Sequence, residues 1–226
     1  MNRRRIALLL LTAVLMGVNL YLIFIYAPKE QIMGDVQRIF YFHMPLAIIS
    51  FLAFLLTFVS GILYLRSRDV RHDLRARASA EVGLVFLSLA LITGSLWAKA
   101  TWGVYWTWEP RLTTTFILWL MYVFYLTLRG YIEDREKMRT ITAAYGVISF
   151  INVPIVFMSI RWWRTLHPVL IDTNEIAMEP PMVVALIFSI FTFVGLFALL
   201  LSERTRLAKL EHELQRAKER IKEAWR

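Results

Sequence analysis

Residues 6–26, IALLLLTAVLMGVNLYLIFIY, contain no charged side chain. A helix of about 20 apolar residues is long enough to cross the hydrocarbon core of a bilayer. The whole chain is of similar character, because 58% of its 226 residues are hydrophobic and its mean hydropathy is +0.54. This composition is too apolar for a soluble domain of this length and predicts a membrane protein.

Six apolar runs are long enough to be transmembrane helices. They lie near Ile6–Tyr26, Leu46–Leu65, Val82–Trp97, Thr113–Leu128, Ile141–Ile160 and Met182–Leu201. We therefore expect an all-α, polytopic membrane protein, with one membrane domain over residues 1–201 and a basic amphipathic helix over residues 202–226. The sequence has no cysteine, which excludes a disulfide framework, a thiolate metal site and cysteine-based catalysis.

Lysine and arginine are distributed unevenly between the two sets of connecting segments. Of the 26, 20 lie at the N-terminus, in the second and fourth connections and after Leu201, and 6 lie in the segments 27–45, 98–112 and 161–181. The positive-inside rule then predicts cytoplasmic termini, a multi-pass protein of the cytoplasmic (inner) membrane, and functional loops on the outer face. The net charge of +9 therefore reflects topology and contact with anionic lipid rather than binding to nucleic acid.

Two segments outside the six runs have helical patterns of their own. Apolar residues and a histidine recur at helical spacing before the second run, at Ile32, Val36, Ile39, Phe40 and His43. They predict a short interfacial helix, after which Pro45 suits the first turn of the second span. In the tail, apolar residues alternate in steps of three and four at Leu207, Leu210, Leu214, Ala217, Ile221 and Ala224. This seam fits either a solvated helix with one face on the membrane or inner loops, or a docking helix for a partner.

The segment WGVYWTWEPRLT, residues 102–113, concentrates aromatic surface beside an acid and a base. Trp102, Trp106 and Trp108 give a broad aromatic platform in an extended segment, and the first two also neighbour each other in a helix. Pro110 suits the first position of the fourth span, which makes Glu109 its N-cap. Arg111 lies in the first turn, where the helix dipole disfavours a cation, so we expect it to interact with a ligand anion or a partner acid. The simpler interpretation is an aromatic belt at the membrane surface.

Two of the four histidines lie in the outer segments that flank this aromatic segment. They are His43 and His167, whereas His72 and His212 lie among inner-face arginines and are expected to be solvated. Two imidazoles beside aromatic side chains and arginines suit a flat, apolar, dianionic ligand with two axial positions. Haem is such a ligand: histidines bind its iron, tryptophans pack against the macrocycle and arginines meet the propionates.

The three segments together resemble a known family. WGVYWTWEPRLT resembles the tryptophan-rich "WWD" signature W-G-x-x-W-x-W-D-x-R-L-T of proteins that handle haem during cytochrome c assembly. Residues 37–47, QRIFYFHMPLA, and residues 161–168, RWWRTLHP, look like the two outer histidine segments of that family. Length, six spans and two outer histidines are similar to one branch, the haem exporter protein C family.

This resemblance implies a haem-handling site in a loop region at 97–115. Haem b would be held on the outer face, with His43 and His167 as axial ligands of the iron. The signature positions that match are Trp102, Gly103, Trp106, Trp108, Glu109 and Arg111. The implied partners are a periplasmic haem chaperone (CcmE-like), a small single-span subunit (CcmD-like) and ABC-type transporter subunits (CcmA/CcmB-like). Such a protein is a platform for haem transfer more than a classical enzyme with acid–base machinery.

The sequence departs from the family pattern at three positions. Glu109 stands where the family has aspartate, which keeps the charge but is a weaker helix cap. Tyr105 replaces a frequent tryptophan, and Pro168 follows His167 where glutamine is expected. None of these changes removes an expected iron ligand.

Two other classes of function remain open from the residues alone. A bis-histidine electron carrier of the cytochrome b kind would usually carry its ligands within spanning helices. A transporter subunit without a haem site would expose polar residues along a path through the spans. Asn19 and Asn152 are the best candidates for such a path.

Overall fold

The computed structural model describes residues 3–163, 171–172, 175–176 and 178–224, and it is almost entirely helical over these ranges. The helices are α1 (Arg3–Tyr21), α2 (Phe40–Ser67), α3 (Val70–Trp102), α4 (Pro110–Tyr131), α5 (Arg135–Ser149), α6 (Asn152–Trp162) and α7 (Pro180–Ala224). A π-helical turn, Leu22–Tyr26, continues α1, and a 3₁₀ helix, Asp35–Ile39, leads into α2. Strands β1 (Ile171–Asp172) and β2 (Glu175–Ile176) form a two-residue antiparallel pair.

Six helical segments of the described chain are long and apolar enough to cross a membrane, which confirms the predicted number of spans. Helices α5 and α6 together form the fifth segment, and they are separated by a turn at Phe150 and Ile151. Pro154 explains the break, because its ring nitrogen cannot donate the helical hydrogen bond to the Phe150 carbonyl. The all-α prediction is therefore also confirmed.

Helices α2 and α3 form the centre of the bundle and approach each other closely. A Cβ atom on Gly83 would lie 2.8 Å from Ala53 Cβ and 2.9 Å from Phe54 Cε1, so only glycine fits there. Ser79 donates a hydrogen bond to the Ala53 carbonyl at 2.8 Å, across the same contact. Phe54 in turn stacks on Tyr122 of α4, with ring centroids 3.6 Å apart. Small residues on α3 thus allow the tight helix pairing on which α4 then packs.

The second spanning helix begins earlier than its apolar run predicts. Helix α2 starts at Phe40 rather than near Leu46, and it follows the 3₁₀ helix without a gap. The predicted surface helix is thus short, and His43 belongs to the first turns of α2 instead of a separate interfacial element. Pro45 removes only one backbone hydrogen bond, and the 3₁₀ turn upstream supplies the helical start that continues through it.

Helix α7 runs without interruption from the sixth span into the tail. The expected boundary between residues 201 and 202 therefore falls inside one 45-residue helix. Ion pairs join its tail to the rest of the chain: Glu211 with Arg77 at 2.9 Å, and Glu219 with Arg135 at 2.9 Å. The seam at Leu207, Leu210, Leu214 and Ile221 is exposed, so the tail contacts the bundle through its polar face.

Both termini lie at one end of the bundle, because Arg5 of α1 pairs with Glu203 of α7 at 2.7 Å. We call this the terminal end, and the opposite end, which carries Trp102 and Trp106, the tryptophan end. A buried ion pair lies at the terminal end. Asp73 of α3 accepts two hydrogen bonds of 2.8 Å from Arg129 of α4.

The Asp73 carboxylate is only 3% exposed and the Arg129 side chain 9%. Arg139 of α5 also approaches Asp73, at 3.5 Å, and Arg129 donates to Thr142 at 3.0 Å. This cluster joins α3, α4 and α5 through charge-assisted hydrogen bonds. Removing one member of a buried pair leaves its partner charged and unpaired, which is costly.

We predict that Asp73→Ala lowers the free energy of unfolding by about 3–5 kcal/mol, because Arg129 would lose its buried counter-charge. Asp69→Ala is the matched control, since Asp69 caps α3 by accepting a hydrogen bond from the Arg71 amide at 2.9 Å. Loss of an exposed cap costs only about 1 kcal/mol. Tryptophan-fluorescence thermal unfolding in detergent measures both. Equal shifts for the two variants would contradict the structural role of the buried pair.

Candidate functional site

A cleft of about 630 Å³ opens between α2, α3 and α4 at the tryptophan end. His43 of α2, Trp97 and Trp102 of α3, and Trp106 and Arg111 around the start of α4 all line it. Its other lining residues are mostly small or apolar: Ala47, Phe51, Leu87, Ala90, Leu91, Gly94, Ser95, Ala98, Leu112, Thr115 and Val156. The fold therefore brings a histidine, three tryptophans and an arginine to one concave surface.

The imidazole of His43 is held by backbone and side-chain oxygen atoms of α3. Its Nδ1 lies 3.0 Å from the Ala90 carbonyl and 3.2 Å from Thr93 Oγ1. A carbonyl can only accept a hydrogen bond, so Nδ1 carries the proton in this contact and the lone pair lies on Nε2. Metal-binding histidines in proteins are usually oriented in this way, by a hydrogen bond from the ring nitrogen that does not bind the metal.

Gly94 allows the His43 ring to lie directly against α3. A Cβ atom at this position would lie 2.9 Å from His43 Cε1 and 3.4 Å from Nδ1. Any side chain there would push the ring away from the Ala90 carbonyl. Ala90, Gly94 and Ala98 are four residues apart along α3 and form a stripe of small residues on the cleft, between larger α3 residues such as Leu91 and Trp97.

The tryptophans of the cleft contribute both apolar area and buried hydrogen-bond donors. The His43 and Trp97 rings have centroids 6.3 Å apart, and Trp97 also contacts Phe40 at 6.1 Å. The indole Nε1 atoms of Trp97 and Trp106 are buried and have no hydrogen-bond partner among the described residues. Buried indole N–H groups normally find an acceptor. Two such donors on one cleft suit a ligand that carries oxygen atoms.

Arg111 is the cation of the cleft. It lies in the first turn of α4, and its guanidinium forms no ion pair within the described part of the chain, although Glu109 lies near enough to act on it electrostatically. Its position against the helix dipole therefore lacks a compensating ion pair in this region of the protein. This arrangement is consistent with the expectation that Arg111 interacts with an anion.

The loop between α3 and α4 is shorter than the region 97–115, because the helices extend into it. Gly103 ends α3 in the left-handed conformation with φ 77°, where its amide donates to the Lys99 carbonyl at 3.1 Å. Glu109 is the N-cap of α4 and Pro110 its first residue, as the sequence predicts, and the Glu109 side chain makes no capping hydrogen bond. Gly103 and Glu109 thus shape the loop rather than line the cleft.

Two of the expected site residues, Trp108 and His167, are not among the residues that line the cleft. Trp108 is 74% exposed and packs edge-on against Trp106, with ring centroids 5.7 Å apart, so it extends the aromatic surface outside the cleft. His167 lies outside the described residues. Its assignment as a second ligand therefore stays a prediction from the sequence.

The two intramembrane asparagines make hydrogen bonds within the bundle. Asn19 accepts a hydrogen bond of 2.8 Å from Ser189, and Asn152 donates one of 3.0 Å to the Thr114 carbonyl. These contacts join α1 to α7 and α6 to α4. They give both residues a structural role and weaken the interpretation of the pair as a polar path.

Comparison with known proteins identifies the family of this chain. The sequence profile described as "Heme exporter protein C" matches residues 1–220. The chain belongs to the haem exporter protein C family. It is 32% identical over 208 residues to the Haemophilus influenzae protein of that name, covering 91% of this chain and 85% of that protein. It is 34% identical over 181 residues to the Escherichia coli K12 protein, covering 80% and 74%.

The chain is also similar to a mitochondrial protein. The chain is 32% identical over 190 residues to a putative cytochrome c biosynthesis ccmC-like mitochondrial protein of Marchantia polymorpha, covering 82% of this chain and 81% of that protein. Membership in the haem exporter protein C family thus applies to the six-helix bundle as a whole and extends beyond the tryptophan signature.

The sequence did not predict a role for Thr93 or Gly94 in the site, and it placed Trp97 in the predicted region 97–115 without a role of its own. Trp97, Thr93 and Gly94 all lie in the last third of α3, upstream of the signature. The four-residue spacing of Ala90, Gly94 and Ala98 is the signal that could have indicated a close approach on this face.

We predict that Gly94→Ala displaces the His43 imidazole, because the added methyl group would occupy space 2.9 Å from Cε1. Gly130→Ala is the matched control, since a Cβ there meets nothing within 4 Å. In protein labelled with ¹⁵N-histidine and assigned with His43→Gln, the wild type and the control should show the Nδ1-protonated tautomer of His43. An unchanged His43 signal in Gly94→Ala would contradict the contact.

Proposed function

We propose that this protein holds haem b, as cargo, in the cleft between α2, α3 and α4 and transfers it to a partner during cytochrome c maturation. The observation that carries the proposal is the orientation of His43, whose Nδ1 is bound to the Ala90 carbonyl within an aromatic cleft. Imidazole nitrogen is a usual axial ligand of haem iron. The names of the relatives support haem as the cargo.

The distribution of polarity in the cleft fits an amphipathic cargo. Phe51 lies two helical turns beyond His43, roughly 12 Å along α2, and together with Leu87 and Val156 it makes the deep part of the cleft apolar. Arg111 and the indole N–H of Trp106 lie at the tryptophan end. The porphyrin ring would pack against the apolar walls, and its propionates would meet Arg111 and the Trp106 donor.

We infer that His167 supplies the second axial ligand, as the resemblance implies. One histidine from the first turns of a spanning helix and one from the long segment before α7 would then hold the iron from two different parts of the chain. The aromatic residues Trp97, Trp102 and Trp106 would hold the macrocycle between them. Transfer would break both iron–histidine bonds, and a ligand of the accepting partner could replace one histidine before the second is released.

A second cleft, of about 950 Å³, lies on the other side of Trp97 and Trp102. It is lined by Glu30, Ile32, Met33, Val36, Trp97, Ala100, Thr101 and Trp102. Ile32 is 92% exposed at its edge. A haem chaperone bound there would meet the haem cleft across the shared tryptophans. We propose this surface for the periplasmic haem chaperone (CcmE-like).

The uneven distribution of lysine and arginine supports the sidedness of this proposal. The tryptophan end would face the periplasm, and the terminal end the cytoplasm, in the bacterial inner membrane. A small single-span subunit (CcmD-like) and ABC-type transporter subunits (CcmA/CcmB-like) would complete the assembly.

One feature of the structure favours the electron-carrier alternative, and another argues against it. His43 lies within a spanning helix, as in carriers of the cytochrome b kind. The cleft, however, opens at one end of the bundle beside exposed aromatic residues such as Trp108. A surface site of this kind suits exchange of the cargo, whereas an electron carrier keeps its haem buried.

We predict that His43→Ala and His167→Ala each lower the haem retained by the purified protein and shift its Soret band, because each removes an iron ligand. His72→Ala, which changes a histidine in the first turn of α3 at the terminal end, is the control and should leave both unchanged. Retention of wild-type haem content and spectrum by both variants would falsify the ligand assignment.

We also predict that Arg111→Gln weakens haem binding by about 10–100-fold without changing the Soret maximum. A charge-assisted hydrogen bond contributes about 1.5–3 kcal/mol, and the iron ligands are untouched. Arg111→Lys should restore part of the affinity because it keeps the charge. Titration with haem and with its dimethyl ester tests this directly: the ester lacks the carboxylates, so it should bind the wild type and Arg111→Gln equally. A loss with the ester that equals or exceeds the loss with haem would contradict the propionate contact.

A further inference from the structure

A separate cleft of about 730 Å³ lies at the terminal end, between the start of α3 and the middle of α7. Its lining comprises Arg75, Ala198, Leu201, Ser202, Thr205, Arg206 and Lys209. All but Arg75 lie on one face of α7, because they are spaced at three- and four-residue intervals. The haem cleft shares none of these residues, so this site is independent of the proposed function.

The charge of this cleft is entirely positive. Arg75, Arg206 and Lys209 line it, no carboxylate does, and none of the three forms an ion pair with any described residue. Neighbouring arginines on the same helices behave differently. Arg77 pairs with Glu81 at 2.9 Å, and Arg204 also contacts Glu81. Acids thus neutralise the adjacent cations, while the three cations in the cleft lack a counter-charge within the described chain.

The cleft is also amphipathic along its length. Ala198 and Leu201 form the part of the cleft that is nearest the middle of the sixth span, and Ala198 is exposed there. Arg206 and Lys209 lie five and eight residues beyond Leu201, which is roughly 7 and 12 Å further along the helix. Ser202 and Thr205 place hydroxyl groups between the apolar and cationic parts. The order along α7 is therefore apolar, hydroxyl, cationic, as in the passage from acyl chain through glycerol to phosphate.

We propose that this cleft binds the phosphate group of an anionic phospholipid. Arg75 from α3 and Arg206 and Lys209 from α7 hold the phosphate, and the acyl chain lies against Ala198 and Leu201. Basic pockets between membrane helices are known to bind such headgroups. A lipid in this position joins α3 to the tail of α7 at the depth where α7 leaves the bilayer.

The test is native mass spectrometry of the purified protein in a neutral detergent, with phosphatidylglycerol or phosphatidylcholine added. We expect bound phosphatidylglycerol in preference to phosphatidylcholine. The triple variant Arg75→Gln, Arg206→Gln, Lys209→Gln should lose on the order of 100-fold in affinity for phosphatidylglycerol, since each cation contributes to attraction.

The matched control is Lys218→Gln, Arg220→Gln, Lys222→Gln, which removes the same charge from the exposed end of α7. It should bind phosphatidylglycerol like the wild type. Equal losses in both triple variants, or equal binding of the two lipids, would overturn the proposal. Competition by millimolar inorganic phosphate would assign the site to a free anion and so overturn the lipid source. Thermal unfolding of each variant, with Arg75→Lys as a milder change, shows that the fold is retained.

Discussion

Close packing of α2 on α3 is the constraint on which the rest of the molecule depends. Two glycines of α3 make it possible: Gly83 admits Ala53 and Phe54 near the middle of the bundle, and Gly94 admits the His43 ring near the tryptophan end. The first contact sets the distance between the helices, and the second uses that distance to bring an imidazole against a backbone carbonyl. The site is therefore a product of the bundle's packing and not of the tryptophan loop alone.

The buried Asp73–Arg129 pair and the polar groups of the haem cleft differ in how far they are satisfied by other residues. At the terminal end, buried Asp73 and Arg129 satisfy each other. At the tryptophan end, the indole N–H groups of Trp97 and Trp106 have no acceptor among the described residues, and Arg111 has no ion-pair partner there. Buried polar groups are usually paired. The contrast distinguishes a structural cluster from a surface that is suited to a ligand.

Much of the fold could be predicted from the sequence because the bilayer restricts the choices. Apolar runs such as Ile6–Tyr26 admit only helix, and the start of α4 follows from Pro110. The start of α2 could not be predicted from hydropathy, because the residues before Leu46 are buried by protein contacts and not by lipid. Gln37 and Tyr41, for example, are 5% and 0% exposed although both are polar.

Some residues of the candidate site could also be predicted from the sequence, and others could not. Trp102, Trp106 and Arg111 could be predicted from their unusual local concentration, and the structure places all three on the cleft with His43. Gly94 and Thr93 could not, since their importance depends on the distance between α2 and α3, which no local pattern encodes. For Trp108 the sequence predicted too much. It belongs to the motif by spacing, but its side chain is 74% exposed and lies outside the cleft.

The uninterrupted α7 has a mechanical consequence. A helix of 45 residues is roughly 68 Å long, about twice the thickness of the hydrocarbon core. Its first turn carries Met182, which belongs to the same buried cluster as Trp97. Because the helix is continuous, a tilt of its tail near Glu219 would also move Met182 beside the aromatic wall at the tryptophan end.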